Sequence, residues 1–200
     1  MGGLSLKKSN WLFITLMVSL VLLLSACGNS SNDANDDAES GNEAAIEDEE
    51  SEQVIVTLKN NEEDNVGTAV LQEVDEGVKI TLEATHLTPG LHGFHIHETG
   101  ACEAPDFESA GGHFNPTDAE HGLDNPEGPH AGDLLNIEVG EDGTVKEEII
   151  ADMVTLEKGQ DNSLLDEDGT SLMIHSGEDD NKSQPAGNAG DRIVCGVIIE

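Results

Sequence analysis

The sequence predicts one all-β domain, a Greek-key barrel or sandwich of about eight antiparallel strands with two long functional loops. Apolar and polar residues alternate with a period of two in several short runs, and glycine-containing turn signals separate these runs. No segment after the N-terminal leader keeps a helical period. The strand-rich part spans residues 54–200, a length typical of a single sandwich or barrel.

The leader is predicted to be a lipoprotein signal peptide over residues 1–26. Lys7 and Lys8 precede an apolar run over residues 11–24, which is too short for a convincing permanent membrane span. The segment Leu24-Ser25-Ala26-Cys27 resembles the bacterial lipobox, which is cleaved before its cysteine. A buried core helix is the alternative, which the N-terminal position and the flanking residues disfavour. We expect Cys27 to carry the lipid and to anchor the protein at the outer face of the cell membrane.

The segment after the leader, residues 27–53, is predicted to be the lipidated cysteine and a disordered acidic tether. Residues 28–52 contain ten Asp or Glu and no Lys or Arg. An interaction tail is the alternative, but no pattern beyond charge supports it. The chain has a net charge of −34, and loss of Lys7 and Lys8 with the leader would make it −36. Such a charge excludes nucleic-acid binding, which requires cationic side chains, and suits solubility in a saline habitat.

The predicted strands follow in order along the domain. Val54, Val56 and Leu58 share one face of the first, and the last runs over residues 193–199. Between them lie a hairpin joined by Asp75-Glu76-Gly77, a second hairpin signal at residues 140–143, and a run ending at His175; the strand-like stretches are residues 68–74, 78–82, 134–139, 144–150 and 171–175. Long loops, between His97 and Asp133 and between His175 and Arg192, interrupt the pattern. Loops of this length in a compact domain are usually functional.

Six of the eight histidines and one aspartate could together provide the ligands of a two-metal site. A single histidine is more often structural than a ligand, but the cluster reverses that expectation. His95 and His97 lie on one face of a strand, because side chains alternate along it. His175 ends another strand-like run and is placed to join them, and an all-imidazole set suits copper.

The second ligand group lies on a stretch rich in Gly and Pro, where short loops can fold several side chains around one ion. Its members are His113, His121, His130 and Asp133. A mixed imidazole and carboxylate set suits Zn²⁺. The two remaining cysteines, Cys102 and Cys195, form an even count in an exported chain, which favours a disulfide over free thiols or metal ligation.

Four segments, in this order, resemble the copper-zinc superoxide dismutase family, and the resemblance covers residues 54–200. They are Gly93-Phe94-His95-Ile96-His97, Gly111-Gly112-His113-Phe114-Asn115-Pro116, Gly128-Pro129-His130-Ala131-Gly132-Asp133 and Gly187-Asn188-Ala189-Gly190-Asp191-Arg192-Ile193-Val194-Cys195-Gly196. The resemblance implies copper and zinc as cofactors and superoxide as substrate. The implied reaction converts superoxide to dioxygen and hydrogen peroxide at the copper, beside a structural zinc.

The resemblance also implies a role for each candidate residue. The copper ligands would be His95, His97, His113 and His175, and the zinc ligands would be His113, His121, His130 and Asp133, with His113 bridging both metals. Asp179 would link a copper-binding to a zinc-binding histidine, with Asp180 as the near alternative. Arg192 would guide superoxide, and Cys102 and Cys195 would form the family's disulfide. His92 matches a structural histidine, and His86 matches nothing functional.

One feature departs from this picture, and three alternatives compete with it. Between His175 and Arg192 the chain has a single cation, Lys182, close to Glu178, Asp179 and Asp180, so we expect weaker electrostatic guidance of superoxide. The alternative role for Arg192 is a structural one, as the partner of Asp191 in a surface salt bridge. The rival function is a non-catalytic surface lipoprotein that holds zinc or copper or delivers copper, but no ligand is missing. A structural lipoprotein using zinc only for stability is a third hypothesis.

Overall fold

The computed structural model describes residues 53–200, which form nine β-strands and one short 3₁₀ helix. The helix is Glu108–Ala110, and the strands are β1 Gln53–Asn60, β2 Asn65–Val74, β3 Gly77–Ala84, β4 Gly90–His92, β5 Phe94–His97, β6 Ile137–Val139, β7 Val145–Ala151, β8 Thr170–His175 and β9 Arg192–Ile198. The predicted all-β fold class is confirmed. Within this part of the chain, no helix is long and apolar enough to span a membrane. The predicted signal peptide and the predicted tether, residues 27–53, lie outside it except for Gln53, which is the first residue of β1 and not part of a disordered segment.

Seven strands form one curled antiparallel sheet in the order β5-β8-β9-β1-β2-β3-β7. Consecutive hairpins join β1 to β2 and β2 to β3, and β9 returns over a long connection to pair with β1. This placement of a returning strand beside the first of three hairpin-connected strands is the Greek-key arrangement. Strand β9 also pairs with β8, and β8 pairs antiparallel with β5. The first long loop, after His97, and the second, after His175, therefore leave this pair of strands from opposite ends.

The concave face of the sheet holds the apolar core, as the alternation of residue types predicts. In β1 the side chains of Val56 and Leu58 are fully buried, whereas that of Ile55 is 69% exposed. In β3 the side chains of Ile80 and Leu82 are fully buried and lie in the same apolar cluster. Each such side chain contributes about 1.5–3 kcal/mol when it leaves water.

The predicted hairpin at residues 140–143 is wrong, although the turn is present. Gly140 N–H donates to Thr144 O, and Gly143 N–H donates to Gly140 O, so the chain reverses there. The strands on either side then pair with different partners: β6 with β4 in a small second sheet, and β7 with β3. Strand β4 was not predicted, because three residues are too few to show a period. The count is therefore nine strands rather than about eight.

Strands β5 and β8 are buried on both faces, unlike the half-exposed strands β1 to β3. Phe94 and Ile96 of β5 point into the apolar core with Leu172 and Ile174 of β8. The alternate side chains of both strands therefore face the other way, where the long loops cover them. This covered outer face carries the ligand candidates.

Candidate metal centre

Strands β5 and β8 place three of the candidate ligands on the covered face. His95 and His97 alternate with the core residues of β5, and their ring centroids are 6.5 Å apart. His175 ends β8, where the register with β9 shifts. Its backbone N–H donates to Gly93 O at 2.9 Å, which holds the end of β8 against the start of β5. Rigid strands thus fix these three imidazoles before any loop contributes.

The first long loop folds back onto the edge of β5 and adds the remaining ligands. Ile96 N–H donates to Gly132 O, and Phe114 N–H donates to Ile96 O. A Cβ on Gly132 would lie 2.2 Å from Ile96 O, so only glycine permits this approach. The middle of the loop, at Phe114, and its end, at Gly132, are thereby both hydrogen-bonded to β5, and His113 lies next to His97 in an isolated bridge.

Four histidines converge on one point with their ligand atoms unpartnered. His95, His97, His113 and His175 each offer a ring nitrogen within 4.8 Å of the others, and all four residues are buried. The atoms that lack a hydrogen-bond partner are His95 Nδ1, His97 Nε2, His113 Nε2 and His175 Nε2. A buried nitrogen without a hydrogen-bond partner destabilises the fold, so four of them facing one another indicate a ligand site. The all-imidazole set fits copper.

The second cluster gathers around one carboxylate. Asp133 Oδ1 lies 2.7 Å from His113 Nδ1, 3.0 Å from His121 Nδ1 and 3.2 Å from His130 Nδ1. Three imidazoles and one carboxylate fit tetrahedral zinc. His113 belongs to both clusters and directs Nε2 at the first and Nδ1 at the second. One imidazole therefore joins the two sites directly.

Burial keeps three imidazoles of the first cluster neutral, and hydrogen bonds keep the carboxylate of the second cluster charged. Loss of hydration lowers the pKa of His95 to about 3, that of His97 to about 2 and that of His175 to about 4, so their imidazoles are neutral at neutral pH. Burial alone would raise the pKa of Asp133, but hydrogen bonds from His113, His121 and the Gly122 N–H hold it well below its usual range. Asp133 is therefore an anionic donor.

Asp179 connects the two clusters from the second long loop. Its Oδ2 lies 2.6 Å from His95 Nε2, and its Oδ1 lies 3.1 Å from His121 Nε2. Since those nitrogens point away from the metal positions, Asp179 fixes the orientation of both rings. Asp180 instead accepts exposed hydrogen bonds from Ser183 and makes no contact with either imidazole.

Arg192 lies beside the first cluster and is held by the first loop. Its Nη1 donates to Phe107 O and its Nη2 donates to Gly111 O, each at 2.7 Å. Gly111 O is also 3.0 Å from His97 Nδ1, so the guanidinium and a copper-ligand candidate share one carbonyl. The alternative role of Arg192, a surface salt bridge with Asp191, is absent among the ion pairs of residues 53–200.

A disulfide joins Cys102 of the first loop to Cys195 of β9, with the two Cα atoms 5.7 Å apart. Cys195 packs with Phe107, Ala110 and Met173 in a small apolar cluster under the loop. The bridge therefore holds the segment whose carbonyls orient Arg192.

The other two histidines stay outside the clusters. His92 is buried, and its ring nitrogens each lie 2.7 Å from a carbonyl oxygen, that of His175 and that of Thr88. His92 therefore fixes the backbone carbonyl of His175, a copper-ligand candidate. His86 is exposed and contacts only the Thr85 hydroxyl among the hydrogen bonds of the described domain.

Residues 65–198 match the family model described as copper/zinc superoxide dismutase. The chain belongs to the copper/zinc superoxide dismutase family. It is 54% identical over 142 residues to "Superoxide dismutase [Cu-Zn] 1" of Aquifex aeolicus, covering 70% of this chain and 84% of that protein. It is also 50% identical over 146 residues to the "Superoxide dismutase-like protein YojM" of Bacillus subtilis, covering 72% and 74%.

Solved structures of this superoxide dismutase family share the fold. A crystal structure of a superoxide dismutase-like protein from Bacillus subtilis matches with a TM-score of 0.71 at 50% identity, covering 72% of this chain and 97% of that one. The Cu/Zn superoxide dismutase from Brucella abortus matches with a TM-score of 0.61 at 31% identity, covering 74% and 99%. The fold and the paired histidine clusters of this chain are therefore those of a family member.

The sequence did not predict the polar residues that hydrogen-bond to the backbone around this dismutase-family site. Asn136 and Gln184 each bind the backbone of a site residue, and Asn61 donates to Arg192 O at 2.9 Å. No local pattern could have identified them, because each partner lies at least 43 positions away in the sequence.

Proposed function

We propose that the protein converts superoxide to dioxygen and hydrogen peroxide, with copper in the all-histidine cluster and zinc in the cluster around Asp133. The single observation that carries the proposal is the set of four unpartnered imidazole nitrogens, one of which belongs to a residue shared with the second cluster. Family membership supports the same reaction.

Copper held by the first cluster would supply the redox chemistry, since its two accessible oxidation states suit the oxidation of one superoxide and the reduction of a second. The side chains supply position and protons. His95, His97 and His175 hold fixed directions because β5 and β8 carry them. His113 is held at Nδ1 by Asp133, so its Nε2 is the atom that faces the first cluster. This nitrogen would hold a proton only when it is not bound to the metal, and would then pass that proton to the peroxide product.

Arg192 supplies the positive charge that attracts the anionic substrate. It lines a surface depression together with Asp106, Glu108 and Asp191, so three carboxylates oppose one guanidinium there. The whole chain has a net charge of −34, which adds long-range repulsion of superoxide. Arg192 therefore attracts superoxide at short range, while the net negative charge of the protein repels superoxide at long range.

The decisive test is metal analysis of the purified domain together with superoxide dismutation before and after addition of copper. We expect one copper and one zinc per chain after reconstitution, and activity only in the copper-loaded form. The rival function, a surface protein that stores or delivers metal, predicts bound metal without dismutation. The name "superoxide dismutase-like" of the Bacillus subtilis relative makes this comparison necessary.

Arg192→Gln should lower the superoxide rate constant by about tenfold or more, because it removes the local attraction and leaves the repulsion of the acidic chain. The rate of the variant should also rise more steeply with ionic strength than that of the parent, since only repulsion remains to be screened. Stopped-flow kinetics over a salt series measures both effects. Copper and zinc contents should stay unchanged.

Arg192→Lys is the matched control, because lysine keeps the charge but loses the two-pronged contact with the carbonyls of Phe107 and Gly111. It should keep the salt dependence of the parent. A purely structural arginine would give the opposite pattern, with unchanged salt dependence and a lower melting temperature in both variants.

We propose further that the protein works at the outer face of the cell membrane. A lipid on Cys27 would hold it there after removal of residues 1–26, with residues 27–52 as a spacer. The lipobox-like segment and the basic residues before the apolar run support this location. Cys27→Ser should abolish labelling with a radioactive fatty acid and should release the protein from the membrane fraction. A variant that stays lipid-labelled would refute the assignment.

A further inference from the structure

Gln184, in the second long loop, makes a two-point contact with the backbone of His121. The His121 N–H donates to Gln184 Oε1 at 2.9 Å, and Gln184 Nε2 donates to His121 O at 2.9 Å. One side-chain amide therefore binds both backbone polar groups of a zinc-ligand candidate from a loop 63 positions away. Asn125 Nδ2 adds a second donor to His121 O at 3.1 Å.

The same loop also holds the imidazole of His121. Asp179 Oδ1 lies 3.1 Å from His121 Nε2, on the ring atom opposite the one that faces Asp133. The backbone of Asp179 is in turn bound at two points by Asn136, which donates to Asp179 O and accepts from Asp179 N–H, each at 2.9 Å. His121 is thus fixed at its ring by one residue of the loop and at its backbone by another.

Close packing leaves the loop little freedom to shift at this contact. A Cβ on Gly187 would lie 1.8 Å from Asp179 Oδ1 and 2.7 Å from His121 Nε2, so the loop backbone passes directly over the pair. Gly187 also has a φ of +65°, which glycine adopts without strain. The contact of Gln184 and the contact of Asp179 therefore belong to one packed unit.

From this geometry we propose that Gln184 is a positioning residue of the zinc site and makes zinc retention depend on the second long loop. Zinc affinity depends on how closely His121 Nδ1 is held near Asp133 Oδ1, 3.0 Å away. Asp179 limits the tilt of the ring, but rotation of the His121 backbone would still displace Nδ1. Gln184 removes that freedom by binding the N–H and the carbonyl together.

The inference rests on the zinc assignment made under the proposed function, and the experiment separates the two. Zn²⁺ affinity and dissociation rate are measured by competition with a chromophoric chelator on the full domain of parent and Gln184→Ala. We expect zinc to bind about tenfold more weakly and to leave faster in the variant, the lower end of the range for loss of an outer hydrogen-bond partner of a metal ligand. Copper affinity should be unchanged, because Gln184 contacts no copper-ligand candidate.

Ser183→Ala is the matched control in the same loop. Its hydroxyl donates to Asp180 Oδ2 at 2.6 Å, away from both clusters, so the variant loses one loop hydrogen bond without touching His121. It should bind zinc as the parent does. The absorption spectrum of bound Co²⁺ provides a second readout, since distorted coordination in Gln184→Ala would shift its visible bands and a loss of stability alone would not.

Gln184→Glu covers the case in which the alanine variant does not fold. The glutamate keeps an oxygen to accept from His121 N–H but places another oxygen against His121 O, so zinc affinity should again fall. Equal zinc affinity of parent and the folded Gln184 variant would overturn the inference and leave the zinc assignment standing. An equal loss in Ser183→Ala would also overturn it. A parent domain that binds no zinc would instead reject the proposed function.

Discussion

Replacing His113 with alanine is expected to impair both metal sites at once, because His113 belongs to both clusters. His113 directs Nε2 into the all-histidine cluster and Nδ1 to Asp133 Oδ1 at 2.7 Å, so its loss removes one ligand from each site. Each affinity should fall by more than the tenfold to hundredfold that the loss of an outer hydrogen-bond partner costs. Metal content after reconstitution and dialysis measures the effect.

His175→Ala provides the comparison, because His175 belongs to the first cluster alone. This variant should lose copper and keep zinc. His86→Asn is the matched control: His86 is exposed, and its φ of +64° is one that asparagine adopts more readily than alanine. It should retain both metals. Equal zinc loss in the His113 and His175 variants would contradict the assignment of His113 to both sites.

The second large effect concerns the disulfide between Cys102 and Cys195. The two cysteines are 93 positions apart, so the bridge closes a long loop in the unfolded chain. On the chain-entropy model, a loop of this length stabilises the fold by about 4 to 5 kcal/mol. For a domain of this size, the Cys102→Ser/Cys195→Ser double variant should therefore melt about 10 to 20 °C lower.

Calorimetry or urea denaturation of the domain, treated with a chelator so that bound metal does not add stability, measures this loss. Reduction of the parent by a thiol reductant is the control, because it opens the bridge without placing a hydroxyl among Phe107, Ala110 and Met173. The two forms should agree within about 1 kcal/mol, the net value of a typical hydrogen bond. An unchanged midpoint in both would show that the bridge contributes no stability.

Most of the strands could be predicted because one face of each is buried and the other is exposed. The alternation of Val54, Val56 and Leu58 directly reflects that arrangement in β1. The prediction failed where pairing is not local. Strand β6 follows a turn that looks like a hairpin, yet it pairs with β4, and the register between them depends on residues 45 or more positions apart. A turn signal specifies that the chain reverses, but it does not specify which strand becomes the neighbour.

The sequence by itself determines the fold class, the family, the ligand candidates and the cysteine pair. These follow from local patterns, since alternation, residue type and motif are properties of short segments. Only the tertiary structure decides how the donors face one another. The two nitrogens of His113 point into different clusters because Gly132 lets the first loop close onto β5. Gln184 and Asn136 hold the site through contacts 63 and 43 positions away, and such contacts exist only after the chain has folded, because they join residues that no local pattern links.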